Sequence, residues 1–317
     1  MDGGLVFHQL LRLFIIMFLG YFLYKFKVID TEFNKKLSSF LINVTLPATA
    51  ISSVLEKQTD RNIKLVLSVF AIGFVMYIVL PVLGFIVARI LRSPASQRGM
   101  YSFMMTFSNV GFIGFPITEA LFGASAMFYT AIINIVFNLA IYSYGIILVN
   151  KDKISVSSEQ SEGQSKVKLS AKDLISPAII ASVIAVIIYF TGVTIPADIA
   201  SVINYLGDIT SPLAMIIIGV TLAPMKLKTV FSDWRVYLFT VIKLIIIPIA
   251  CLPLLKMVIS DDTVLMILYI LLQMPVANTS VLFANRFDIN EELAAKGVFI
   301  TTLFSVFTVP LMVNMCL

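Results

Sequence analysis

Long apolar windows are the feature of this 317-residue sequence that most limits its fold. A helix needs about 20 apolar residues to cross the hydrocarbon core of a bilayer, and windows of that length recur along the whole chain. Apolar residues make up 59% of the sequence, charged residues 13%, and the mean hydropathy is +0.98, far above that of typical soluble domains. A soluble globular fold is therefore excluded, and an all-α polytopic membrane protein is predicted.

Polar breaks between the apolar windows predict ten membrane spans. The spans cover residues 5–24, 34–55, 64–91, 101–122, 126–149, 174–191, 200–224, 234–259, 263–284 and 292–316. Between the fifth and sixth spans, residues 150–173 are rich in Ser, Lys, Glu and Gln, which predicts a flexible linker. The linker separates a first unit, 1–149, from a second unit, 174–317, and each unit holds five spans.

Basic residues alternate between the loops and predict the orientation of the chain. Of the 23 Lys and Arg residues, 17 fall on one side of the membrane, four on the other and two, Arg12 and Lys243, within spans. The positive-inside rule places the side with 17 in the cytoplasm and both termini outside a cell membrane, either inner or plasma. The net charge of +5 then reflects topology, and a nucleic-acid partner is not expected.

An odd number of spans in each unit inserts the two units in opposite orientations, which predicts inverted-topology repeats. Weak internal symmetry agrees with this prediction. The second span contains the sequence NVTLP at residues 43–47, and the seventh contains DITSP at 208–212, with Thr and Pro at the same spacing. Pro81 of the third span and Pro248 of the eighth also correspond.

Spans four and nine carry the clearest signs of interrupted helices. Residues 107–116 read FSNVGFIGFP, and residues 273–280 of the matching span read QMPVANTS. Proline removes a backbone hydrogen bond, and glycine permits the dihedral angles of unwound chain. Non-helical backbone at membrane depth is tolerated where it is buried in protein or lines a wet cavity. The paired breaks therefore predict a binding site near the membrane midplane.

Two half-helices are expected to begin near Phe115–Pro116 and Val276–Ala277, each with free N–H groups and the positive end of its dipole. An anion fits such a site. The polar side chains beside the gap either contact this ligand or cap the half-helices, and the two roles are compatible. The predicted substrate-binding residues are Asn109, Gly111, Gly114, Pro116, Pro275, Asn278, Thr279, Ser280 and Lys243.

Lys243 is the strongest single candidate, because a charge near mid-depth is costly and usually functional. It is expected to balance an organic anion or to pair with a carboxylate. Asn134 and Asn138 share one face of span five, which predicts either a pocket wall or interhelical hydrogen bonds. Asp208 is a candidate proton acceptor within span seven or a residue of the outer interface. Gln273 completes the candidates for ion coupling or a pocket wall.

No metal site or cofactor is predicted. Cys251 and Cys316 lie alone in apolar runs, and His8 is the one histidine of the sequence. No GxSxG or zinc-binding histidine motif is present, so an enzyme is not expected. A carrier and an anion channel both use polar interiors and stay open as alternatives. Saturable flux that counter-substrate stimulates marks a carrier, and flux near free diffusion marks a channel.

Seven segments of the sequence resemble the auxin efflux carrier family of membrane transporters, which includes plant auxin exporters and bacterial malate-permease-like proteins. The resemblance extends over nearly the whole chain outside the linker. The most specific segments contain the Asn-x4-Gly-x-Pro and Pro-x-Ala patterns of spans four and nine. The seven segments are LGYFLYKFKVID (19–30), FLINVTLPATAI (40–51), SNVGFIGFPI (108–117), SPLAMIIIGVTLA (211–223), KLIIIPI (243–249), MPVANTSVLFANRFD (274–288) and TTLFSVFTVPL (301–311).

This resemblance implies a ten-helix fold of two inverted five-helix repeats, similar to bile acid transporters and sodium/proton antiporters, with spans four and nine crossing at their unwound centres. It also implies a scaffold of spans 1, 2, 6 and 7 and a transport domain of spans 3–5 and 8–10 that moves as an elevator. The expected function is secondary transport of a small organic anion such as a mono- or dicarboxylate. A coupling proton or sodium ion, membrane lipid and a homodimer are the further partners left open.

Overall fold

The protein is described by a computed structural model over residues 3–52, 54–55, 63–158, 177–224 and 231–316. Nearly all of these residues are helical, so the all-α class predicted from hydropathy is confirmed. Within this part of the chain, five helices are long and apolar enough to cross a membrane by length and composition. They are Ile63–Ile90, Tyr129–Asp152, Ala197–Leu222, Trp234–Val258 and Glu291–Val313.

The helices of the first half, before the stretch 159–176, are labelled α1 to α5. They are α1 (Gly3–Lys25), α2 (Thr31–Phe40, a π-helical turn Leu41–Thr45 and Leu46–Ser52), α3 (Ile63–Ile90), α4a (Arg98–Thr106), α4b (a π-helical turn Val110–Gly114 and Phe115–Phe122) and α5 (Ala124–Ala140, a π-helical turn Ile141–Gly145 and Ile146–Ser158). A short 3-10 turn, Ala95–Gln97, leads into α4a.

The helices of the second half are labelled α6 to α10. They are α6 (Pro177–Thr191), α7 (Ala197–Asp208 and Thr210–Leu222), α8 (Trp234–Val241, a π-helical turn Ile242–Ile246 and Ile247–Val258), α9a (Asp262–Leu272), α9b (Thr279–Phe287) and α10 (Glu291–Cys316). These bounds agree with the predicted spans to within a few residues, except at the end of α5 and at the interruptions of α4 and α9.

Pro81 lies inside α3 without ending the helix. Proline has no N–H group, so the carbonyl of Tyr77, four residues earlier, lacks its usual helical donor. The hydroxyl of Tyr144 in α5 donates to that carbonyl instead. Ser102 of α4a donates to the carbonyl of Pro81 itself at 2.9 Å. Neighbouring helices therefore satisfy the backbone around this proline, which is how prolines are tolerated inside membranes.

The helices pack as two groups. In one group, α1 packs along the second half of α7, and α2 packs against α6 and α7. In the other group, α3 packs against α4a and α5, while α10 packs against α8 and α9b and α9a packs against α5 and α8. The two groups meet where α1 contacts α10 and α4b, and where α6 contacts α5.

Two glycines allow α1 and α7 to approach closely. A Cβ at Gly219 would lie 1.9 Å from the carbonyl oxygen of Met17, and a Cβ at Gly20 would lie 2.3 Å from that of Ile216. Neither atom is at the end of a flexible side chain, so no larger residue fits without moving a helix. Small residues are the usual means of close packing between membrane helices.

The end of α5 differs from the prediction, because the helix continues to Ser158 and replaces the first part of the predicted linker, 150–173. Asp152 is fully buried, and its carboxylate accepts hydrogen bonds from the N–H groups of Gly99 (2.6 Å) and Met100 (2.8 Å) at the start of α4a. The start of a helix attracts a carboxylate, and this tertiary contact overrides the polar composition. Residues 159–173 of that linker lie outside the described residues.

Candidate functional site

Helices α4 and α9 are each unwound in the middle, at Phe107–Asn109 between α4a and α4b and at Gln273–Asn278 between α9a and α9b. The two unwound segments are in contact. The N–H of Asn109 donates to the carbonyl of Pro275 at 2.7 Å, and the N–H of Ala277 donates to that of Phe107 at 2.9 Å. Together these bonds form one antiparallel β-bridge, in which each segment satisfies backbone groups of the other. We call the two paired segments the crossing.

The first half-helix begins earlier than the sequence predicts. The π-helical turn of α4b starts at Val110, where the N–H of Gly114 donates to the carbonyl of Asn109 at 3.0 Å. Gly111, Gly114 and Pro116 therefore lie within helical structure and not in the gap. Pro116 lies inside a continuous helical run that begins at Val110, so the gap at Phe107–Asn109 is not located at this proline.

The second half-helix begins later than the sequence predicts, at Thr279 instead of Val276–Ala277. Val276 stays in the extended part of the crossing, where its N–H donates to the hydroxyl of Thr301 in α10 at 3.0 Å. Pro275 lies in the same extended part and contributes its carbonyl to the β-bridge. Of the predicted site residues, Pro275 and Asn278 thus belong to the gap, and Thr279 and Ser280 begin α9b.

Asn109 and Asn278 are in direct contact at the crossing. The Nδ2 group of Asn109 donates to Oδ1 of Asn278 at 3.2 Å, and the two side chains are 1% and 6% exposed. The contact joins two residues that are 169 positions apart in the chain. The structure therefore brings together two asparagines that were predicted as site residues from separate sequence motifs.

Several buried polar atoms of the second segment have no hydrogen-bond partner in the protein. Among the described residues these include Nδ2 of Asn278, the hydroxyls of Thr279 and Ser280, and both side-chain polar atoms of Gln273. An unsatisfied buried polar group costs about 1–3 kcal/mol, and each one in a native structure calls for a specific reason. Amide N–H and hydroxyl groups are donors, so this set is suited to a ligand that accepts hydrogen bonds.

Lys243 lies in the π-helical turn of α8 and is 2% exposed. Its ammonium donates to the carbonyl of Met105 at 3.0 Å and to the hydroxyl of Ser108 at 2.9 Å. Met105 is in the last turn of α4a, the negative end of that half-helix. No carboxylate of the described residues forms an ion pair with this ammonium.

The other candidate residues differ in their distance from the crossing. Asn134 and Asn138 are 5% and 7% exposed on α5, and a Cβ at Gly111 would lie 3.9 Å from Oδ1 of Asn134. That asparagine therefore lies beside the first turn of α4b. Asp208, in contrast, is exposed at the end of the first part of α7. The structure does not bring its carboxylate to the crossing.

A cleft of about 510 Å³ lies between α2 and α7 on one side and α9b and Tyr142 of α5 on the other. Lys35 and Glu291 are its charged residues. A small apolar cavity of about 20 Å³ shares Thr221 and Leu282 with the cleft and also touches Asn278. The polar lining of the cleft includes Thr31, Asn34, Ser38, Ser39, Asn43 and Thr221.

Sequence reasoning missed three residues that build the crossing. The hydroxyl of Ser108 accepts a hydrogen bond from the ammonium of Lys243, and the hydroxyl of Thr301 accepts one from the N–H of Val276. The ring centroid of Phe107 lies 4.6 Å from that of Phe103. Hydroxyl residues inside apolar spans are a signal that would have found Ser108 and Thr301. Phe107 has no such signal, because one phenylalanine in an apolar run resembles the next.

In this protein, apolar helices are unwound where they meet, and polar groups are buried at the contact. This arrangement is typical of polytopic membrane transport proteins. Within that class, the chain belongs to the family described as membrane transport protein, whose sequence profile matches residues 5–313. This is the auxin efflux carrier family, so the resemblance found in the sequence is confirmed. The protein is accordingly a membrane transporter.

Relatives align with nearly the full length of the chain. The uncharacterized transporter YfdV of Escherichia coli K12 is 26% identical over 96% of this chain and 95% of its own. An uncharacterized transporter of Methanocaldococcus jannaschii is 22% identical over 94% of each chain. A putative malonate transporter of Rhizobium meliloti is 22% identical over 94% of this chain and 92% of its own. These transporters agree with the expectation that the chain is not an enzyme.

Proposed function

We propose that the protein is a secondary transporter that carries a small organic anion, a mono- or dicarboxylate, across the cell membrane by alternating access. The observation that carries this proposal is the set of unpartnered buried donors on Asn278, Thr279 and Ser280 beside the starts of two half-helices. A carboxylate accepts several hydrogen bonds at once and satisfies such donors.

The electrostatics of the crossing favour an anion. The starts of α4b and α9b each carry about half a positive elementary charge from the helix dipole, and the ends of α4a and α9a each carry about half a negative one, so the dipoles balance and the net charge comes from Lys243. Lys243 adds a full charge from α8, and no carboxylate of the described residues pairs with it. A buried region with this excess of positive charge repels cations and attracts carboxylates.

The packing of the helices supports an elevator. The scaffold would consist of α1, α2, α6 and α7, which contact one another closely, and the moving transport unit of α3 to α5 and α8 to α10. The crossing lies entirely within the second group. The cleft separates α2 and α7 of the scaffold from α9b of the transport unit, and in the predicted orientation its residue Lys35 is cytoplasmic. The structure would then represent an inward-open carrier.

Contacts between corresponding segments support inverted repeats. The hydroxyl of Thr49 in α2 lies 2.8 Å from that of Thr210 in α7, and it also donates to the carbonyl of Gly207 at 3.2 Å. At the crossing, Asn109 and Asn278 pair in the same manner across the two units. Elements related by a two-fold axis in the membrane plane meet each other at that axis.

The proposal is tested first by ligand stabilisation and then by flux. Purified protein is heated with a panel of mono- and dicarboxylates, with and without sodium, at two pH values, because a ligand that binds the folded state raises the melting temperature. Malonate belongs in the panel because one relative is a putative malonate transporter. Carboxylates are expected to stabilise the protein, and matched neutral amides are not.

Flux is then measured in proteoliposomes with the stabilising carboxylates. Uptake is expected to saturate and to rise when the vesicles are preloaded with unlabelled substrate, since this exchange is the property of a carrier. Linear, unsaturable flux without such stimulation would instead identify the anion channel. If no organic acid either stabilised the protein or was transported, an organic anion would be rejected as the substrate.

A further inference from the structure

The two atoms that accept hydrogen bonds from the ammonium of Lys243 are of the kinds that coordinate a small monovalent cation at a broken helix. A carbonyl at the end of a half-helix and a hydroxyl on the unwound segment, Met105 and Ser108, receive its ammonium at 3.0 and 2.9 Å. Broken helices of transporters coordinate coupling cations with half-helix ends and unwound carbonyls. In this protein the position between Met105 and Ser108 is occupied by a cation that is covalently part of α8.

This charge is fixed within one packed group of helices. Lys243 is 2% exposed, and its two partners belong to α4a and the crossing, while α8 itself packs against α9a and α10. A buried ammonium held by two hydrogen bonds does not exchange with solvent as a free ion does. If the group moves as one unit, the charge moves with it.

Three acidic residues of this helix group have partners near helix ends away from Met105. Asp152 is bound to the N–H groups at the start of α4a, the end opposite Met105. Glu292 pairs with Lys296 in the first turns of α10 at 2.6 Å, and Asp261 caps the start of α9a. None of these carboxylates is paired with Lys243.

We propose that Lys243 is a tethered replacement for a coupling cation, so that transport requires no sodium and the transport unit carries the positive charge of its ammonium at the crossing. This inference rests on the proposed function, since it assigns the charge that accompanies the organic anion. A monocarboxylate then crosses as a neutral pair with the lysine. A dicarboxylate crosses with one net negative charge, and the empty unit returns with one net positive charge.

The tether itself is tested without any substrate. Lys243→Ala opens the space beside Met105 and Ser108, so methylammonium or sodium at millimolar concentration is expected to raise the melting temperature of this variant by several degrees. The wild type, with the space filled, is expected to show no such shift. The double variant Lys243→Ala/Ser108→Ala is expected to lose it, and Lys256→Ala, which removes an exposed lysine from the same helix, is the matched control.

The charge is tested by exchange in proteoliposomes under a clamped membrane potential. Exchange of monomethyl malonate, a monoanion, is expected to be insensitive to potential and to the replacement of sodium by choline. Exchange of malonate, a dianion, is expected to change its rate with potential, since the loaded unit then carries one net negative charge and 100 mV shifts its distribution between the two membrane faces by up to about 50-fold. In Lys243→Met the monoanion exchange is expected to become sensitive to potential, while Lys243→Arg and Lys256→Met keep it insensitive.

Two results would overturn the inference. One is wild-type carboxylate transport that needs sodium, or monoanion exchange that depends on potential. This result leaves the organic-anion transporter intact and removes the tethered cation. The other is the lack of any cation-induced stabilisation of Lys243→Ala. If that stabilisation occurs and no carboxylate is transported, the proposed function fails and the tethered cation stands, so the two ideas fail separately.

Discussion

Asn278 lies at the start of α9b but does not cap this helix with its side chain, so capping, one of the two roles predicted for it, is not observed. Its Oδ1 accepts a hydrogen bond from Asn109, which fixes the side chain, while its Nδ2 group has no partner in the protein. An asparagine can do both because its amide presents an acceptor and two donors. The bond to Asn109 orients the amide, and in the proposed transporter the unpaired donor is available to the anion.

Asn278→Ala is expected to weaken carboxylate binding by ten-fold or more. A hydrogen bond to a charged group is worth about 1.5–3 kcal/mol, which corresponds to roughly 10- to 150-fold in affinity. Asn109→Ala is expected to have a smaller effect, because it releases the orientation of Asn278 without removing the donor. The shift of melting temperature with ligand concentration measures both affinities.

The control for these substitutions is Ser201→Ala. Ser201 is an exposed serine of α7 that donates to the carbonyl of Ala197 in its own helix and lies outside the lining of the cleft, so its loss is expected to leave ligand affinity within two-fold. Unchanged affinity in both Asn109→Ala and Asn278→Ala, with folded protein, would show that the anion binds elsewhere.

Lys243 shows what sequence does and does not reveal about a single residue. A lysine nine residues into an apolar span is recognisable as unusual, because its charge is costly there. Its partners are not recognisable, since Met105 is 138 positions away and contributes only a backbone carbonyl, which every residue has. The identity of a site residue follows from local composition, and its role follows from tertiary packing.

At the scale of elements, Gly219 controls how closely α7 packs on α1. Gly219→Val is expected to lower the free energy of unfolding by about 2 kcal/mol or more, in the range of overpacked cores, because its Cβ would overlap the backbone of Met17 and Tyr21. Thermal unfolding in detergent measures this loss. Gly207→Ala in the same helix is the control, since its Cβ would make ordinary contacts at 3.4 Å or more. Equal melting temperatures for both variants would contradict the packing described here.

Asp152 joins three elements, because its carboxylate binds the start of α4a and also accepts from Nδ2 of Asn290, before α10, at 2.9 Å. Asp152→Ala leaves two buried N–H groups unsatisfied and is expected to cost about 2–5 kcal/mol. Asp152→Asn keeps one acceptor oxygen, so its free energy of unfolding is expected to lie between those of the wild type and Asp152→Ala. Chemical or thermal unfolding checks this order, with Asp198→Ala, which removes an exposed carboxylate from α7, as the control. A melting temperature of Asp152→Ala equal to that of the wild type would refute the role of the carboxylate.

The sequence predicts that α4 and α9 are interrupted, but it does not predict at which residues. The clusters of Asn, Gly and Pro identify both spans, because these residues weaken a helix wherever they occur. The gap itself forms at Phe107–Asn109, ahead of Gly111 and Pro116, because the β-bridge with Val276 is made there. The start of the extended segment is thus set by a partner from the other half of the chain, which no local pattern contains.

At the scale of the whole molecule, the proposed inverted repeat pairs helices whose chemical settings differ. Pro81 of α3 and Pro248 of α8 occupy corresponding places, yet the buried cation Lys243 belongs to α8 alone, and α3 has the apolar Met76 at the corresponding position. The crossing is therefore asymmetric, with the ammonium of Lys243 at the α4 interruption and unpartnered side chains at the α9 interruption. In the proposed transporter, such asymmetry would give a bound anion a defined orientation.

The inverted repeat predicts that the start of α3 and the end of α8 lie on the same side of the membrane, because corresponding helices of inverted repeats run in opposite directions. Lys64 and Lys256 are exposed at these two ends, while Lys36 and Arg89 are exposed at ends predicted to be cytoplasmic. In a background with Cys251→Ser and Cys316→Ser, Lys64→Cys and Lys256→Cys are each expected to react with an impermeant maleimide added outside intact cells. Lys36→Cys and Arg89→Cys are expected to react only after the membrane is opened. Labelling of Lys64→Cys outside and Lys256→Cys inside would mean that both halves enter the membrane in the same direction, and the pairing of two oppositely inserted half-helices at the crossing would then be untenable.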